Sequence, residues 1–216
     1  MMTGLVVKDI RILLQRKQQL LLFVVLAVML GFTQGGTFIL GYLPLWILIL
    51  AISTIAYDEL DNGYTFLLTL PIDVKTYVRE KYVFCGGAGI VAWVVSVIIY
   101  YISGMMHDKS VNLLEELPML FAFLAVIAVM MAFSIPVQIR FGANGSRMVI
   151  LVVFGVALLL VFLIKKVVDA ETLAAIQKAF DQISATGICL LVIGVVCLSL
   201  VISYICSLRA MKKMEL

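Results

Sequence analysis

The sequence predicts an all-α integral membrane protein of six transmembrane helices with both termini in the cytosol, and three observations carry that expectation. Hydrophobic residues make up 64% of the 216-residue chain and charged residues 13%, against roughly 45–50% and about 25% in a globular domain. Five stretches, 18–57, 82–107, 117–139, 148–164 and 182–208, contain no Asp, Glu, Lys or Arg. The basic residues that remain gather in alternate connections. A soluble domain of this length cannot bury so much apolar surface. The same composition excludes disordered, collagen-like and disulfide-scaffolded classes, and a net charge of +3 gives no reason to expect nucleic acid as a partner.

The first element, 1–16, is amphipathic. At helical spacing Leu5, Val6, Ile10, Leu13 and Leu14 share one broad face and Lys8, Arg11 and Gln15 lie opposite, which predicts an interfacial helix turned with its basic side toward lipid headgroups. Crossing the hydrocarbon core takes about 20 apolar residues. Four of the charge-free stretches are therefore one span each. The stretch 18–57 holds two, separated at the small polar turn Thr33-Gln34-Gly35-Gly36-Thr37. The expected spans lie near 17–33, 38–57, 83–104, 117–138, 147–165 and 187–208. No small-residue cleavage pattern follows the first apolar run, so it is expected to remain in the mature chain. Without repeats or linkers, 1–216 reads as a single domain.

Lys and Arg then sort by side. Lys8, Arg11, Arg16, Lys17, Lys75, Arg79, Lys81, Arg140, Arg147, Arg209, Lys212 and Lys213 fall on one side, and only Lys109, Lys165, Lys166 and Lys178 on the other. Twelve against four places both termini inside.

The spans are expected to carry no chemistry. None has an ionisable residue in its interior, which disfavours ion-coupled transport. The single His107 sits in an outer loop, no HExxH or buried acid pair occurs, and Ser53, Ser96, Ser134, Ser199 and Ser203 read as helix-packing residues. Cys85, Cys189, Cys197 and Cys206 all lie in apolar stretches without a CxxC pair, as small hydrophobes do. Gly86-Gly87-Ala88-Gly89 is not followed by Gly-Lys-Ser/Thr, so no phosphate-binding loop is present. The chain is expected to be no enzyme and to hold no cofactor or metal of its own.

Two connecting segments stand out. The inner loop 58–81 turns at Asp61-Asn62-Gly63 and then exposes Tyr64, Phe66, Leu67, Leu68 and Leu70 before Pro71 ends the run. Asp73 is placed to cap a helix that leads through Lys75–Arg79 into the third span. A short apolar helix outside the membrane needs a surface to bury itself against, either the underside of the bundle or a groove in a partner. On the other side, Leu173, Ile176, Phe180 and Ile183 in 165–186 share one helical face, which fits a helix lying on the outer leaflet or across a dimer.

Three segments carry a family resemblance: GLVVKDIRILLQRK at 4–17, YDELDNGYTFLLTLPIDVKTYVREKY at 57–82 and IPVQIRFGANGSRMVI at 135–150. Together the chain resembles the ABC-2 type permease subunits of bacterial ABC exporters, and within them the small six-helix permeases of the phenol-soluble-modulin (amphipathic peptide) exporter group. The resemblance covers essentially the whole chain. It implies a multi-pass permease of the bacterial plasma membrane that moves an amphipathic or hydrophobic substrate outward. It also implies a separate cytosolic ATPase that binds ATP and Mg, and a second permease copy, as a homodimer or with a similar permease. The loop between spans two and three would carry the coupling helix, which maps onto Asp58, Glu59, Gly63, Tyr64, Phe66, Leu67, Thr69, Leu70 and Pro71. The N-terminal helix would add Lys8, Asp9 and Arg11. The alternative is a non-transporting membrane subunit, for immunity or sensing, bound to an ATPase.

Overall fold

The computed structural model describes residues 2–34, 37–59, 73–106, 116–142 and 185–213. All elements among them are helices: α1 (Met2–Gln15), α2 (Lys17–Gln34), α3 (Thr37–Glu59), α4 (Val74–Met106), α5 (Glu116–Gly142) and α6 (Ala185–Lys212). Four of these, α3, α4, α5 and α6, are long and apolar enough to cross a membrane. The pair α1 and α2, bent by 69° at Arg16, makes a fifth candidate if taken together. The expected span near 147–165, the outer segment 165–186 and the Gly35-Gly36 turn lie outside the described residues.

The core forms where the nearly uniformly apolar helices α3, α4 and α5 pack against one another. Leu48, Ala51, Ile52 and Ile55 of α3 pack with Val74, Tyr77, Val78 and Cys85 of α4 and with Ile127, Ile135 and Ile139 of α5. Small residues let α4 and α5 approach: a Cβ on Gly89 would stand 3.3 Å from Ile127 Cγ2. At the far end of this pair Trp93 Nε1 donates to the Leu120 carbonyl at 3.2 Å. A smaller cluster of Ala27, Ile39 and Leu43 joins α2 to α3, where the rings of Phe23 and Trp46 stack at 4.5 Å. Gly31 lies against Ile39, and its carbonyl accepts from Ser103 at 2.9 Å.

Toward the opposite end the polar contacts tie in α6. Its Ser203 hydroxyl donates to the Ala132 carbonyl of α5, and the Tyr82 hydroxyl of α4 bonds Ser203 and, at 3.0 Å, Ser207. Met211 is buried in the main cluster, so the last turn of α6 lies at the end where α4 begins and α5 finishes. Elsewhere α6 shows Val195, Leu198, Val201 and Ile202 on its surface, as a helix facing lipid does, since lipid tails solvate apolar side chains.

The amphipathic expectation for α1 needs one correction. The helix forms, but its bundle-facing ridge runs through Leu5 and Asp9, while Ile10 and Leu14 are exposed. Val6 and Leu13 pack on the main cluster, and with Ile10 they line an apolar hollow of about 440 Å³ under the α1–α2 elbow. A single helix cannot report which side its neighbours occupy, and here α3 and α4 crowd its acidic edge.

Candidate functional site

Four charges from three helices close into a ring at the end of the bundle where α3 stops and α4 starts. Lys81 of α4 donates to Asp9 of α1 and lies 2.7 Å from Asp58 Oδ2 at the end of α3. Lys8 of α1 donates to Asp58 and stands 3.3 Å from Asp9 Oδ1. Each carboxylate therefore bridges both ammonium groups. Neutral donors complete the shell: Tyr77 OH reaches Asp58 Oδ2 at 2.9 Å, and Thr54 Oγ1 reaches Asp9 Oδ2 at 3.3 Å.

The ring is almost dry. Asp9 and Lys81 are 0% exposed and Asp58 6%, and only the Lys8 side chain, at 32%, reaches the surface. Burying such charges costs several kcal/mol per ion, which only close opposite charges and full hydrogen bonding repay. Alternation of sign around the ring supplies the opposite charges, with Lys8 and Lys81 matching Asp9 and Asp58, while Asp9 Oδ1 has the Lys8 ammonium at 3.3 Å but no hydrogen bond among the described residues. Arg16 adds a tether at the elbow, its guanidinium 4.6 Å above the ring of Tyr57. Glu80 is a fifth buried charge, 3.9 Å from Lys81, and neither of its oxygens has a hydrogen-bond donor among the described residues.

The local sequence explains how each group arrives. Asp58 follows immediately on the charge-free stretch 18–57, so it caps the run of apolar residues that pins α3 in the core. Lys81 immediately precedes 82–107 in the same way. Asp73 stands at the N-cap of α4, its carbonyl accepting from Thr76 and Tyr77, and this starts α4 early enough to carry Tyr77 and Lys81 into the bundle. The two stems of the loop 60–72, Asp58 on one side and Tyr77 and Lys81 on the other, are thus bonded to each other and to α1.

Of the residues expected to face a partner, Lys8, Asp9 and Asp58 belong to this ring. For Asp58 the opposite charge comes from Lys8 and Lys81 of the same chain. Arg11 is exposed and outside the ring. The side chain of Glu59 and the residues Gly63, Tyr64, Phe66, Leu67, Thr69, Leu70 and Pro71 lie outside the described residues. Lys81, Tyr77 and Thr54 were missed by the sequence. Their one visible signal was position, at or beside the borders of charge-free stretches.

Helices of this apolarity with an ion-paired hub at one end define a multi-pass membrane protein. The chain matches the family described as "ABC-2 family transporter protein" over residues 4–212 and belongs to it. It is the membrane component of an ABC transporter, a permease that is not itself the ATPase and that works with one. No curated protein and no solved structure matches it.

Proposed function

We propose that this permease is the transmembrane subunit of an ATP-driven exporter in the bacterial plasma membrane, with six spans and both termini in the cytosol. The cargo is an amphipathic or hydrophobic molecule such as a peptide, as in the phenol-soluble-modulin exporter group. A separate ATPase holds ATP and Mg, and two permeases, identical or similar, enclose the path. The observation that carries the reading is the buried ring of Lys8, Asp9, Asp58 and Lys81 beside a loop whose apolar residues Tyr64, Phe66, Leu67 and Leu70 need a surface to cover them.

On this reading 60–72 is the coupling segment, its apolar residues sit in the ATPase, and Glu59 and Arg11 meet the ATPase surface. When ATP closes the ATPase pair, the segment is displaced. Because both its stems and α1 are bonded through one buried ring, α1, α3 and α4 move together. Separating them would strand a buried charge, at about 3–5 kcal/mol. The movement is therefore delivered to the membrane helices instead of being absorbed at the loop.

The test is co-isolation of the tagged full chain with its partner ABC ATPase, after co-expression. Phe66→Asp or Leu67→Asp is expected to leave the permease in the membrane and abolish ATPase binding, while Glu59→Lys weakens coupling more than assembly. Normal binding and export by all three variants would remove the coupling role from this loop.

A further inference from the structure

Beside the Ser203 contact, α5 and α6 part and leave a cavity of about 1270 Å³ between them. Its long walls are apolar, with Phe133 and Val137 on α5 facing Leu198 and Ile202 on α6. Its charged lining among the described residues is all basic: Arg140 from the end of α5, and Arg209 and Lys213 one turn apart at the end of α6, with Ser199 and Ser203 as neutral polar groups. All three are exposed. No Asp or Glu lines the cavity, and none of the three cations is ion-paired to a carboxylate among the described residues. Met211 is buried in the main cluster with Val74 and Ile139, which puts these cations at one end of the trough and leaves the apolar length beyond them.

An occupant must satisfy both parts. A neutral amphiphile would leave three cations unmatched, and a free anion would leave the apolar walls uncovered. Basic pockets between transmembrane helices recognise anionic lipid headgroups through phosphate–guanidinium and phosphate–ammonium bonds. We propose that the α5–α6 cavity is a binding site for an anionic phospholipid. Its phosphate is held by Arg140, Arg209 and Lys213, and its acyl chains lie along Phe133, Leu198 and Ile202. Such a lipid would fasten α6 further, beside the packing of Leu200, Tyr204, Leu208 and Met211 on the core and the Ser203 and Ser207 hydrogen bonds. The site stands apart from the coupling ring and does not depend on the export reading.

The experiment is native mass spectrometry of the full chain in mild detergent, titrated with phosphatidylglycerol and, separately, phosphatidylcholine. Phosphatidylglycerol is expected to bind at least tenfold more tightly. Each of Arg140→Gln, Arg209→Gln and Lys213→Gln should weaken it about fivefold and leave phosphatidylcholine unchanged. Lys17→Gln, an exposed cation outside the cavity, should change neither. Leu198→Trp, which fills the apolar trough, should weaken both lipids. These positions are exposed, so monodispersity and helix content serve as the folding control. A photo-crosslinker on Cys206, which lines the cavity, should capture the lipid. Equal binding of the two lipids, or Gln variants that bind as the wild type does, would overturn the site. So would crosslinks from Cys206 to residues 143–184 of the chain or to a co-purified peptide.

Discussion

Replacing Lys81 with methionine should be among the most destabilising single changes at the ring. Lys81 is the only ring cation with no surface exposure, and its ammonium contacts both Asp9 and Asp58. Methionine keeps most of the volume and removes the charge. Asp9 and Asp58 then share Lys8 alone, and one buried negative charge goes unmatched. Breaking a buried pair in this way costs about 3–5 kcal/mol. Since Lys8 still reaches both carboxylates, the lower end, about 3 kcal/mol, is expected. At roughly 2–4 °C per kcal/mol for a chain of this size, the unfolding midpoint should fall by about 6–12 °C. The assay is thermal unfolding in mild detergent, followed by the fluorescence of Trp46 and Trp93. The double variant Lys81→Met with Asp9→Asn restores neutrality, since Lys8 then faces Asp58, and should recover at least about 1 kcal/mol through coupling of the two sites. A midpoint within 2 °C of wild type for Lys81→Met, or strict additivity in the double variant, would refute the ring as an energetic unit.

Other outcomes follow from neighbouring contacts. Lys8→Gln should cost less than Lys81→Met in the same melt, because Lys8 is partly in water, which can reach part of the charge its loss leaves unmatched, whereas Lys81 is wholly buried. Glu80→Gln should raise the midpoint, since it removes a buried charge that no donor meets among the described residues, a penalty on the order of 1–3 kcal/mol; a lower midpoint would mean that Glu80 has a partner. Tyr82→Phe deletes the hydroxyl that links α4 to Ser203 and Ser207, and about 1 kcal/mol should be lost, with faster proteolysis at α6 as an independent readout. Gly31→Val drives a side chain into Ile39 and should destabilise by about 1–3 kcal/mol, visible as a lower yield of monodisperse protein.

The helices were legible because the physics that sets them is local. Charge-free runs of about twenty residues mark α3 to α6, and Asp73 marks the start of α4 on the residue. The ring was not legible, because its members come from 8, 9, 58 and 81 and each alone has an ordinary explanation. Asp58 and Lys81 stand where charged residues flank spans, and Asp9 sits on an otherwise amphipathic helix. The bend of 69° at Arg16 swings α1 back across the ends of α3 and α4 and turns four unremarkable charges into partners. The same bend explains why the buried ridge of α1 takes in Asp9 and leaves Ile10 and Leu14 exposed. Periodicity found Leu5 and Leu13, but Asp9, one turn from each, is the residue around which the helix is buried.

ATP hydrolysis by the partner ATPase in proteoliposomes tests the central claim most directly, compared between the wild-type chain and the charge-neutral Lys81→Met, Asp9→Asn variant. Assembly is checked in the same preparation by co-isolation. If the ring carries motion from the loop to the spans, the variant should bind the ATPase as the wild type does, yet lose export and the stimulation of hydrolysis by cargo. Unchanged export and stimulated hydrolysis in a fully assembled variant would contradict the account.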